Sequence, residues 1–395
     1  MYDIAIIGAG PAGATLARLI GRQHRVLLVE RREMDGPQSF SLGKCCGGLL
    51  APDAQAMLSK LGLGLPRSVL QEPQLFVVRA IDVRHNIERY YQRHYINMDR
   101  LRFDQWLLSM VPSAVDVRLG CRLLSYTSQA EGIRLMLDQS GSRYEETAAI
   151  VVGADGAASK VRAALRLNTP SPQRYFAIQE WVEASASVPY FSSIFDPEIT
   201  DYYCWTIPKG SCLVIGAALR PRDRTMEKFQ LLKKKLKDRG FRFGKTLWRE
   251  GAFVLRPRTP RQLCTGAGPV ILLGEAGGWI SPSSAEGLSY AFRSACVLAE
   301  ALHAGLENVE RRYQTATSAL RRNILLKDLK SRVVFNPPLR RIIMRLGLQS
   351  MAIYGPPVLS SPSPEAASTD SGTFPDSHFR ANDIERFPDS PCQGT

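Results

Sequence analysis

The opening thirty residues constrain this chain more than any other stretch. YDIAIIGAGPAGATLARLI begins with an apolar strand, Tyr2 to Ile7, passes through Gly8, Gly10 and Gly13 in GxGxxG spacing, and runs into an alanine-rich helix. Gly8 permits the tight turn and Gly10 lets the backbone approach a pyrophosphate. Gly13 lets the helix pack on the sheet while its N-terminal amides face the anion. A second strand, RVLLVE, ends at Glu30, 17 residues after Gly13, where an acid accepts hydrogen bonds from an adenosine ribose. Taken alone, Glu30 also reads as a solvated strand-end charge. Strand, glycines, helix, second strand and terminal acid in that order predict a dinucleotide-binding unit.

Two distant segments follow the same plan. IVVGADGAASKVRAAL gives a buried strand, Ile150 to Gly153, then Asp155 and Gly156, then a helix from Ser159. VILLGEAGGWISPSSAEGLSYAFRSACVLAEAL gives a strand ending at Gly274 and Glu275, with Gly287 opening a long helix. The intervening residues 74–98 and 173–264 alternate apolar and polar positions, as in RYFAIQEWVEA and CLVIGAAL. The expected fold class is therefore α/β. A discontinuous Rossmann-like nucleotide-binding domain (1–73, 99–172 and 265–308) carries an inserted antiparallel-sheet substrate domain (74–98 and 173–264). A C-terminal helical region (309–355) follows, with a tail (356–395) whose Pro, Ser and Asp content predicts disorder.

Charge narrows the partners. The chain carries +14 overall, and its last forty residues hold six acids against Arg380 and Arg386, so the body carries +14 − (−4) = +18. Such a body attracts phosphates: a nucleotide cofactor, an anionic membrane surface or nucleic acid. Nucleic acid ranks lowest, because no zinc-finger or basic-region motif accompanies the charge. No apolar run reaches the ~18 residues of a membrane span and MYDIAIIGAG lacks the basic flank of a secretory signal, so the expected location is cytoplasmic, with peripheral attachment at the inner membrane face open. The basic, apolar-interleaved segment RVVFNPPLRRIIMRLGLQSMAIY reads as a helical cap over a substrate cavity or as a membrane contact through Arg340, Arg341 and Arg345.

GKCCGGLLAP, residues 43–52, sets adjacent cysteines against two glycines. The remaining cysteines form no CxxC pair, so no metal site is expected, and adjacent cysteines close only a strained ring. Packing or chemistry is left. Further on, in DYYCWTIPKG, the alternation of Tyr203, Trp205 and Ile207 puts them on one face of a strand.

In order and separation, GxGxxG, ADG and GEA resemble the flavoprotein fold shared by aromatic hydroxylases, geranylgeranyl reductases and flavin halogenases. KCCGG resembles the KPCGG stretch of the geranylgeranyl reductase family, and YYCWTIP resembles both the YxWxFP signature of those reductases and the WxWxIP signature of the halogenases. KCCGG favours the reductases. The resemblance implies FAD, held by Gly8, Gly10, Ala12, Gly13, Glu30, Arg31, Lys44, Cys45, Gly47, Arg100, Asp155, Glu275, Gly287 and Leu288; Glu275 stands where those families carry Asp. It implies Cys46 beside the flavin ring, as hydrogen-bonding group or proton donor, with a small buried hydrophobe as the plainer alternative. Tyr203 and Trp205 complete the catalytic set. The implied reaction is reduction of carbon–carbon double bonds in an isoprenoid or polyprenyl lipid, with NAD(P)H or a ferredoxin-like protein as electron donor. A flavin monooxygenase or halogenase acting on a small aromatic is the other outcome.

Overall fold

The computed structural model describes residues 1–34, 45–184, 189–221 and 224–351; Lys44 and the 356–395 tail of the sequence reading lie outside these. Two sheets organise the chain. In the first, the neighbours are Gly266–Ala267, Val270–Leu272, Ser142–Gly153, Tyr2–Ile7, Val26–Val29 and Asp116–Arg118. All pairings from Val270–Leu272 to Asp116–Arg118 are parallel. Period-two alternation divides the central strand between two cores. Ile4 and Ile6 face the helix side with Leu16, Ile20, Leu298 and Leu302, whereas Ala5 and Ile7 face a second core with Leu135, Leu137 and Val161. The fully buried part of the strand, Ile4 to Ile7, has no place for charge, and the one acid, Asp3, sits at its half-buried start, where it accepts from the Arg25 amide.

The second sheet runs Phe243–Arg256, Gln173–Ala184, Cys212–Leu219, Cys204–Lys209, Tyr190–Phe195, Leu75–Asp82, Ile87–Asn97 and Leu49–Leu50. One pairing departs from the antiparallel sheet expected. Tyr190–Phe195 lies parallel to Leu75–Asp82, with Tyr190 opposite Val77 and Phe195 opposite Asp82. These strands come from separate stretches of chain, so no tight turn joins them and nothing local imposes the antiparallel sense. At the far edge, Leu49–Leu50 pairs with Ile96 and Asn97. That pairing ties the end of the CCGG loop to the second sheet.

Candidate cofactor and active site

Three turns converge at the C-terminal ends of the first sheet's parallel strands. Gly8 has φ of +108°, and a Cβ there would lie 2.6 Å from the carbonyl oxygen of Ala154. A Cβ on Gly13 would lie 1.9 Å from the carbonyl oxygen of Gly8, and one on Gly274 would lie 3.0 Å from the Ala12 Cβ. The glycines thus bring the GxGxxG, ADG and GEA turns into contact. Gly10 differs, since a Cβ built there meets nothing within 4 Å. It opens onto the N-terminus of helix Pro11–Ile20, whose first turn carries no side-chain cap and no acid. An uncapped helix start with an open glycine before it is a cradle for a diphosphate.

Glu30 closes the next strand and is buried. Its Oε2 accepts from the Ala9 amide at 2.9 Å and its Oε1 from Arg32 Nε at 2.9 Å. Arg32 continues to Asp104 at 3.3 Å, and Asp104 holds Arg100 at 2.8 Å. Helix Arg100–Ser109, N-capped by Asp99, presents Arg100 and Asp104 one turn apart. Burial opposes the Arg100 charge, but Asp104 and the Cys46 thiol beside it hold the guanidinium above its ordinary range. A buried polar chain therefore runs from Glu30 to Cys46. Arg31 is exposed and Arg32 makes the internal contacts.

The CCGG loop is seated on the second sheet. A Cβ on Gly47 would fall 2.3 Å from Ile207 Cδ1, and Cys45 Sγ donates to the Ala177 carbonyl at 3.6 Å. The Cys46 carbonyl accepts from Gln179 Nε2 at 3.4 Å. Gln179 also donates to Glu250, which takes a further bond from Trp181 Nε1 at 3.2 Å, and burial pushes the Glu250 carboxyl up. Below the loop, Lys209 is buried, with Nζ donating to the Met98 carbonyl at 2.7 Å and the Gly48 carbonyl at 3.2 Å. Burial pushes Lys209 down to about 7, against the opposing pull of Cys46 and Asp99.

Tyr203, Trp205 and Ile207 share one core face with Cys45, Tyr95 and Phe191, and Cys204 points into a different core. The Tyr203 and Trp205 rings stand 5.6 Å apart, and the Tyr203 hydroxyl donates to the Ser284 carbonyl at 2.8 Å. The Trp205 ring covers Gly216, where a Cβ would lie 2.2 Å from Cε2, and its buried Nε1 has no hydrogen-bond partner. Sequence reasoning did not single out Gln179, Glu250, Lys209 or Arg32. Lys209 had a signal, because a lysine ending an otherwise apolar strand is either an edge residue or a buried amine.

Two implied cofactor ligands are engaged by the protein. Asp155 Oδ2 accepts from the Lys160 amide at 2.7 Å and the Val161 amide at 3.3 Å, capping the helix there, and its buried Oδ1 has no partner. Burial holds the Asp155 carboxyl above its usual range. Glu275 Oε1 accepts from the Leu255 amide at 2.9 Å, a bond that ties the GEA turn to the second sheet. Gly287 N-caps helix Leu288–His303, and Leu288 is buried among Ala14, Leu50 and Phe292.

The cradle, its open glycine and the buried acid fit an adenine dinucleotide, and the family pattern described as an FAD binding domain matches residues 1–242. This chain is an FAD-binding flavoprotein. It is 39% identical over 348 residues to Protein CbrA of Escherichia coli O157:H7, spanning 88% of this chain and 97% of that protein. Among solved structures, the flavoprotein resembles a geranylgeranyl bacteriochlorophyll reductase-like protein of Thermoplasma acidophilum, with TM-score 0.74 and 17% identity over 88% of this chain and 91% of that one. It also resembles PqsL of Pseudomonas aeruginosa, solved with 2-aminobenzoylacetate, with TM-score 0.64 and 19% identity over 88% and 99% of the two chains. At such identities the structural likeness carries the fold alone. Of the cofactor-binding set, Lys44 lies outside the described residues.

Proposed function

We propose that this flavoprotein reduces carbon–carbon double bonds of an isoprenoid or polyprenyl lipid. The observation that carries the reading is the packing of the Cys45–Gly48 loop against the Tyr203–Ile207 strand. Gly47 lies on Ile207, and Cys45 shares a core face with Tyr203 and Trp205. The fold likeness to a geranylgeranyl bacteriochlorophyll reductase-like protein supports it.

An isolated trisubstituted alkene has no carbonyl to receive electrons, so it must be protonated as hydride arrives. The chemistry that reduced FAD would supply here, with NAD(P)H or a ferredoxin-like protein as its donor, is a hydride for one of the two carbons. The Cys46 thiol gives its proton to the other carbon and recovers one from water, so the bond gains two hydrogens. Arg100, beside Cys46, stabilises the sulfur while it is anionic. The Tyr203 and Trp205 faces stabilise the positive charge that develops on the tertiary carbon. The cofactor would rest on Gly8, Gly10, Ala12 and Gly13, with Glu30 toward its ribose.

The test is anaerobic reoxidation of the reduced holoprotein. A polyprenyl phosphate should restore the oxidised flavin spectrum without oxygen. A flavin that reoxidises only with oxygen and a small aromatic would move the protein to the hydroxylase class.

A further inference from the structure

Helices Ser318–Val334 and Pro337–Leu346 expose a face that their packing leaves over. Of sixteen large apolar side chains exposed among the described residues, eight fall between residues 325 and 351, with Leu326 exposed to 68% and Leu346 to 65%. Leu325, Leu326 and Leu329 recur at helical spacing on the first helix, as do Leu339, Ile342 and Leu346 on the second. The opposite faces are used: Leu320, Ile324 and Ser331 are buried on the first helix, Arg340 and Met344 on the second. A run of exposed apolar side chains at helical spacing on each of two successive helices marks an interaction site.

Charge selects the partner. Residues 318–351 hold eight Lys and Arg against one acid, Asp328, which is itself buried and paired with Arg258 and Arg332. Arg340, one of the three arginines of the membrane-contact alternative, is instead buried against Asp82 at 2.8 Å. Lys327 is paired with Asp53, and Arg321 donates to the Pro260 and Leu263 carbonyls. Arg322, Lys330, Arg341 and Arg345 are exposed and have no ion pair among the described residues. A second copy would bring the same basic stripe and repel. An anionic bilayer offers both an apolar interior and phosphates.

We infer that the leucine and isoleucine stripe of these two helices docks on an anionic lipid bilayer, with Arg322, Arg341 and Arg345 at the headgroups. Phe335, at the turn between the helices, packs on Tyr202 at 4.9 Å and Tyr203 at 6.4 Å. The element that carries the docking face therefore also borders the aromatic cluster. The lipid-substrate reading supplies the purpose of the docking; the surface stands on its own residues.

The experiment is co-sedimentation of the full-length, flavin-loaded protein with vesicles of phosphatidylcholine alone or with added phosphatidylglycerol, without substrate. Two double variants, Leu326→Glu with Ile342→Glu and Arg341→Glu with Arg345→Glu, are compared after flavin content and thermal midpoint confirm folding. The parent should partition onto the anionic vesicles and leave them at high salt. Each double variant should bind at least about tenfold more weakly. Equal binding to neutral vesicles, or variants that bind like the parent, would overturn the proposal. So would a dimer in the ultracentrifuge that the leucine variant breaks, or binding gained only after residues 356–395 are removed, since these assign the stripe to a second copy or to the tail. Vesicle binding without alkene reduction would retain the surface and remove the reductase reading. Reduction without vesicle binding would do the reverse.

Discussion

Replacing Lys209 by Met tests the buried floor of the CCGG loop. Burial lowers the folded amine from 10.5 to about 7, while in the unfolded chain it titrates near its ordinary value. Below pH 7 the amine is protonated in both states, and the fold bears the full cost of a buried charge. Between pH 7 and about 10 the unfolded chain binds more protons than the native one, so this group makes stability rise with pH. The gain attributable to Lys209 from pH 7 to pH 9 is about 2 kcal/mol. Other titrating groups contribute to both proteins, so the difference between parent and variant isolates this amine. At pH 7 the variant sheds the buried charge and two hydrogen bonds, to Gly48 and Met98. The Gly48 carbonyl keeps its bond from the Met98 amide, which limits the loss. The assay is urea unfolding at pH 7, 8 and 9, followed by circular dichroism. The parent should gain on the variant at each step, and curves that stay parallel across that range would refute the argument that Lys209 carries a depressed pKa.

Gly10→Val should abolish flavin binding with little loss of fold, because the added side chain enters the open space in front of helix Pro11–Ile20; flavin absorbance after purification reads it. Cys46→Ala should retain flavin and lose at least about tenfold in the rate of alkene reduction, whereas Cys45→Ala should lose little. Identical behaviour of the two would return Cys46 to a packing role. Asp82→Ala should destabilise the protein by about 3 kcal/mol or more in denaturant titration, because it strands the buried Arg340 guanidinium.

The cofactor half of this molecule was legible because its demands fall on the backbone. A turn that brings the position of a Gly13 Cβ within 1.9 Å of a carbonyl oxygen admits only glycine, so the requirement shows in sequence. The Tyr203–Trp205–Ile207 face was legible for the same reason that any alternating strand is. Side-chain pairings across the chain were not. Arg340 reads as one of three surface arginines because its partner, Asp82, lies 258 residues away on another element. Choosing Arg32 over Arg31 as the partner of Glu30 depends on where the chain turns after the strand, and neighbouring arginines carry no such information. The parallel seam between Tyr190–Phe195 and Leu75–Asp82 was hidden likewise, because strand patterning records which face is buried and leaves the partner's direction open.

The most direct test of the central claim is a mass measurement on product. Reduced, flavin-loaded protein is incubated without oxygen with a polyprenyl phosphate of defined length, and the extracted lipid is weighed by mass spectrometry. The account predicts peaks displaced by about two daltons for each bond saturated, since hydride and proton add one hydrogen each. They should fall away in Cys46→Ala and persist in Cys45→Ala. An unchanged lipid mass beside a fully reducible flavin would contradict it.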